Sequence, residues 1–168
     1  MPARGFVIAS LVAVVVALVC TGRAAKEARD AHSDHVPVIQ DLEFARTSGH
    51  VDQATNGGKQ AVVDAAVRSI HYDCALAPSY GLLFVSLGLL WGPIGANLSG
   101  LIATAGASAA VFDLVENAAM LRALRDSKGP GTNVPLRPPP RPFAITKWAL
   151  FGVACALTLF RLVQHGRG

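Results

Sequence analysis

Residues 74–117 read CALAPSYGLLFVSLGLLWGPIGANLSGLIATAGASAAVFDLVEN, and they hold no Asp, Glu, Lys or Arg until Asp113, Glu116 and Asn117 arrive together. A charge-free run of this length accommodates two apolar helices of about 20 residues, each able to cross about 30 Å of hydrocarbon. Gly92-Pro93 and Asn97-Leu98-Ser99-Gly100 offer a turn between them. Two membrane spans are therefore expected, at 76–93 and 99–121. The polar residues that close the second are the anomaly to be explained, because charge inside a bilayer costs about 3 kcal/mol per residue on insertion scales.

Working outward, Phe6–Thr21 (FVIASLVAVVVALVCT) and Phe143–Val163 are further apolar stretches, the latter interrupted by Lys147. The first resembles a secretory signal, but no small-x-small cleavage site follows and Val19 before Cys20 is a poor lipobox, so an uncleaved helix at 6–22 is expected. With 143–163, the expectation is an all-α, four-transmembrane-helix bundle forming one membrane domain, 1–168, with three spans as the fallback. A 52% hydrophobic content against 15% charged agrees with that class. The loops from Arg23 to Tyr72 and from Arg122 to Pro142 lie on one side of such a bundle and hold eleven of the fifteen Lys and Arg. The positive-inside tendency makes that side cytoplasmic and both termini external, although the first loop is long and has at least as many acids as bases. A multi-pass protein of the bacterial inner membrane is expected.

Cys20, Cys74 and Cys155 lack CxxC spacing and fit neither a disulfide framework nor a zinc site. The net charge of +4 is not clustered on a soluble face with interleaved aromatics, so no nucleic acid is expected and membrane lipid is the natural partner. His32 and His35 have metal-compatible helical spacing without a third ligand, and read as a surface pair; no metal or cofactor is expected.

The first loop is not featureless. In IQDLEFA, Ile39, Leu42 and Phe44 can share an apolar side, and in KQAVVDAAVRSI the residues Val62, Val63, Ala66, Val67 and Ile70 follow helical spacing. Asn56-Gly57-Gly58 separates them as a turn. A short amphipathic helical segment at 36–72, lying at the interface or capping the bundle and running into the second span, follows. The other loop, 126–142, contains SKGPGTNVPLRPPPRP and reads as an extended, basic, solvated tether.

Asp113, Glu116 and Asn117 fall on one helical face, above Ala110, Ala109 and Gly106, small residues that admit a neighbouring helix. That face should point into the bundle. Lys147 lies five residues past Pro142 and Glu116 six before Arg122, so both sit about 8 to 9 Å along their helices and at matching depth. Asp73 falls at the boundary of the second span with Tyr80 one to two turns deeper. Asp73, Tyr80, Asp113, Glu116, Asn117 and Lys147 can thus converge. A register-fixing lock is the plain reading of such a set, but one lysine cannot cancel two acids, and the surplus favours a ligand or proton site.

The combination of YDCALAPSY at 72–80, DLVEN at 113–117 and TKW at 146–148 resembles a group of uncharacterised bacterial four-helix integral membrane proteins, with a D-x-x-E-N motif in the third span and a lysine in the fourth. The resemblance covers most of the chain and implies the fold but no activity. No nucleophile elbow, HExxH, phosphate loop, thiol pair or facing histidines are found, so no enzyme class is read from the sequence. The expectation is a membrane protein whose polar pocket binds a lipid-like or small amphiphilic ligand or relays protons. The alternative is an accessory subunit, partnered by another membrane protein or by a second copy, in which the cluster is a packing lock.

Overall fold

A computed structural model describes residues 5, 8–16, 19, 23, 39–91, 96–126 and 133–165. The elements are α1 (Ile39–Glu43), α2 (Ser48–Ala54), α3 (Gln60–Trp91), α4 (Ala96–Asp126) and α5 (Arg141–His165). Among the described residues there is no strand, only an isolated bridge between Thr47 and Pro135. Three helices, Gln60–Trp91, Asn97–Asp126 and Arg141–Gln164, are long and apolar enough to cross a membrane. The first expected span is described only in part: residues 8–16 are helical, and Ser10 Oγ lies 3.4 Å from Ser86 Oγ of α3. The ends of that span, Cys20, His32 and His35 lie outside the described residues.

Helix α3 begins well before the span expected at 76–93, because its apolar stripe is continuous. Val62, Ala66, Ile70, Ala77, Tyr80, Gly81, Phe84 and Gly88 are buried at successive intervals of one to seven residues along one side, so the interfacial helix and the span are a single rod. Pro78 sits within it and deprives only the Cys74 carbonyl of a backbone donor. Residues 97–100, expected to turn, belong instead to α4. Ser99 is buried there, and a Cβ at Gly88 would stand 2.7 Å from the Ser99 carbonyl oxygen and 2.9 Å from Ala103 Cβ. The stretch is helical because it is half of a close helix contact rather than a connection.

Helix α4 is central and packs along both α3 and α5. Two apolar cores lie along it. One gathers Tyr80, Phe84, Ile102, Ala105, Ala109, Ala110 and Ala154. The other joins Leu42, Ala45, Val51 and Ala54 of the cap to Ala66, Ile70, Met120, Ala123 and Leu124. Facing outward are Leu82, Leu89, Leu101, Val111, Leu159 and Phe160, all exposed, as lipid-facing positions would be.

The cap departs from expectation in one side chain. Leu42 is buried, but Phe44 is exposed and Ala45 takes the inward place, since α1 ends at Glu43 and the chain turns with Ala45 N–H donating to the Leu42 carbonyl. The proline-rich loop also differs from a free tether. Ser48 N–H donates to the Val134 carbonyl at 2.9 Å, Leu136 N–H to the Arg46 carbonyl at 2.9 Å, and Val134 N–H to Ser48 Oγ at 3.0 Å. Proline removes the donors at 135 and 138 in NVPLRP, and of the amides left, those at 134 and 136 both donate to the cap. Residues 133–136 therefore act as a strap across it.

Candidate functional site

The site lies between the two apolar cores and is built on one lysine. Lys147, one and a half turns into α5, is positioned with its ammonium among three carboxylates, one from α1 and two from α4. Nζ donates to Glu43 Oε1 and to Asp113 Oδ1, each at 3.2 Å, and forms an ion pair with Glu116 Oε2 at 2.8 Å. An ammonium has three donors, and two of them are used in these hydrogen bonds. All four groups are buried, with 5% exposure at Glu43 and Lys147, 3% at Asp113 and 0% at Glu116.

Neutral side chains tie the acids to other helices. Tyr80 Oη of α3 donates to Asp113 Oδ2 at 2.9 Å, and Asn117 Nδ2 of α4 donates to Asp73 Oδ2 at 3.1 Å. Asp73, half-buried, also neighbours Asp113. Trp148 Nε1 donates to Glu43 Oε2 at 3.3 Å, and the Lys147 ammonium stands 5.1 Å from the Trp148 ring centroid, within cation–π range. Beneath, Phe151 meets Tyr80, Phe84 and Trp148 edge to face, at centroid separations of 5.3, 5.7 and 6.2 Å. These rings form an apolar floor beside the acids.

The charge balance is the chemical fact of the site. Among the described residues, Glu43, Asp73, Asp113 and Glu116 face a single ammonium, and removing ions from water costs several kcal/mol each unless they are paired. Three buried acceptors of the site also lack a hydrogen-bond donor, Glu116 Oε1, Asn117 Oδ1 and Glu116 Oε2, the last having only its ion pair with Lys147. Such an arrangement has room for more positive charge than lysine supplies, and a proton is the smallest carrier of it.

All six residues selected from the sequence, Asp73, Tyr80, Asp113, Glu116, Asn117 and Lys147, fall in this one cluster. Glu43 and Trp148 were not anticipated. Trp148 adjoins Lys147 in sequence and carried no further signal. Glu43 lies beside Leu42 in IQDLEFA, and a carboxylate next to the apolar contact of a capping segment was the available clue. Cavities of about 230 to 540 Å³ open around the cap and the end of α4, lined by residues such as Val51, Thr55, Gly58, Arg122 and Asp126; neither Glu116 nor Lys147 lines any of these. Among the described residues no group of three or more His, Cys, Asp or Glu is arranged to hold a metal ion. Comparison with protein-family models, curated proteins and solved structures finds no match.

Proposed function

We propose that the chain is an integral membrane protein, a four-helix bundle completed by the helix at 6–22, whose buried acid cluster takes up and passes protons. The observation that carries the reading is the convergence of Glu43, Asp113 and Glu116 on the one ammonium of Lys147, with Glu116 Oε1 left without a donor. Intramembrane acids beyond what their counter-ions neutralise mark proton or ion paths. Of the two ligand classes expected from the sequence, a proton suits a closed cluster better than an amphiphile, because it needs no cavity beside the acids. In this reading Asp113 and Glu116 carry the proton, Lys147 is their fixed counter-ion, and Tyr80, Asn117 and Asp73 orient them. The membrane would be a bacterial inner membrane, as the resemblance implies.

The test is proton uptake by the purified protein in lipid vesicles, followed with an external pH indicator after a pH jump. Asp113→Asn and Glu116→Gln should each abolish or strongly reduce uptake while leaving folded yield nearly unchanged, since each amide keeps the shape and the contact with its neighbours. If both variants lose yield and the native protein shows no uptake, the cluster is a lock. The cross-helix bonds Tyr80–Asp113 and Asn117–Asp73 favour that second reading, in which the chain is an accessory subunit of a larger membrane complex.

A further inference from the structure

A site that exchanges protons with water cannot stay sealed, and on the side where α3 starts, α4 ends and α5 starts the seal is the cap. With the cap seated, Asp113, Glu116, Asn117 and Lys147 are all buried. Three features make the cap a separable piece. First, α1 and α2 have five and seven residues, too few to remain helical without tertiary contact, so their state follows their docking. Second, they join α3 through Asn56-Gly57-Gly58, whose φ values of 52°, 73° and 75° are left-handed. Two of these three residues have no side chain to restrict another conformation, which suits a hinge. Third, among the described residues the cap reaches the charged centre through the Glu43 carboxylate, on Lys147 and Trp148.

We infer that α1 and α2 form a lid over the acid cluster and that Glu43 is its latch. Release of Glu43 from Lys147 and Trp148, with undocking of the Leu42 and Val51 contacts and of the strap bonds that join Arg46 and Ser48 to residues 134–136, lets the lid turn about Asn56–Gly58 and admits water to Asp113 and Glu116. The energetics allow such a latch. Burying the Glu43 carboxylate has a desolvation cost that its ion pair offsets only narrowly, and in the open state water replaces the lost partners. Lys147 meanwhile keeps Asp113 and Glu116, so opening leaves no cation unpaired. The purpose of the lid rests on the proton reading; its mechanics do not.

Cys74 is a native reporter. It is a free, half-buried thiol that packs against the cap core. In full-length protein in nanodiscs, with Cys20→Ala and Cys155→Ala, the rate at which a water-soluble maleimide labels Cys74 reads lid opening. Glu43→Gln, which keeps the shape and removes the charge, should raise that rate about tenfold or more, the effect of losing a charge-assisted contact. Glu43→Asp, one methylene shorter, should raise it too and serves if the amide variant folds poorly. Labelling that is equally slow in the parent and both variants overturns the lid. Proton uptake unaffected by Asp113→Asn and Glu116→Gln would overturn the proton reading alone and leave the labelling result standing.

Discussion

Helices α3 and α4 meet in two different ways along their length. In the half away from the cap the contact is made of shape: Gly81 lies against Ala110, Gly88 against Ser99 and Ala103, and Gly106 against the Phe84 side chain. In the half beneath the cap it is made of charge and hydrogen bonds, Tyr80 to Asp113 and Asp73 to Asn117, with Lys147 completing the set from α5. Both halves hold the same pair of helices. The first has no titratable group and no reason to be anything but scaffold. The second burdens the fold with buried acids that packing does not need, and that excess is why function is placed there.

The largest effect expected from breaking this contrast is on the charged half. Lys147→Met removes the ammonium that pairs with three buried carboxylates and should cost about 3 to 5 kcal/mol of stability, the usual result of orphaning a buried ion. Thermal unfolding in detergent measures it. The sharper version adds Asp113→Asn and Glu116→Gln to Lys147→Met, which should recover part of the loss, because two of the three orphaned carboxylates are then neutral and only Glu43 is left without its cation. A triple variant as unstable as Lys147→Met would mean that the lysine stem, not its charge, holds the helices. Next in size is the packed half: Gly106→Ala places a methyl group where Phe84 already stands and should cost about 2 kcal/mol or more. Unlike the lysine variant, it should not be rescued by any change among the acids.

This division also explains what could be read in the sequence. The packed half was legible because its signal is local: a charge-free run, then Gly and Ala at helical spacing toward Asp113. The six polar residues were legible because depth follows from counting residues from the loop, and Lys147 and Glu116 differ by only one in that count. Glu43 was not, because it reaches the cluster from outside the spans, and its placement depends on how a five-residue helix docks through Leu42 and Ala45. Neither periodicity nor depth contains that information. The same holds for the strap, where the prolines of NVPLRP argue for extension but not for pairing with Arg46 and Ser48. The helical state of 97–100 was hidden differently: Asn, Ser and Gly favour turns locally, and burial of Ser99 against Gly88 overrides them.

The smallest expected effect separates the lid from the bundle. Trp148 is about half exposed and gives Glu43 one hydrogen bond at 3.3 Å, so its indole N–H contributes less than the lysine does. Trp148→Phe keeps a ring to meet Phe151 and deletes only that donor. Stability of the three-helix core should change by about 1 kcal/mol or less, while Cys74 labelling should rise modestly and in the same direction as for Glu43→Gln. The pairing of those two readouts is the informative part. If Trp148→Phe lowers the melting temperature as much as Gly106→Ala without changing Cys74 labelling, Trp148 supports the bundle through its ring. If labelling rises while melting stays put, Trp148 acts on the cap through Glu43, and the charged half differs from the packed half in having a part that moves.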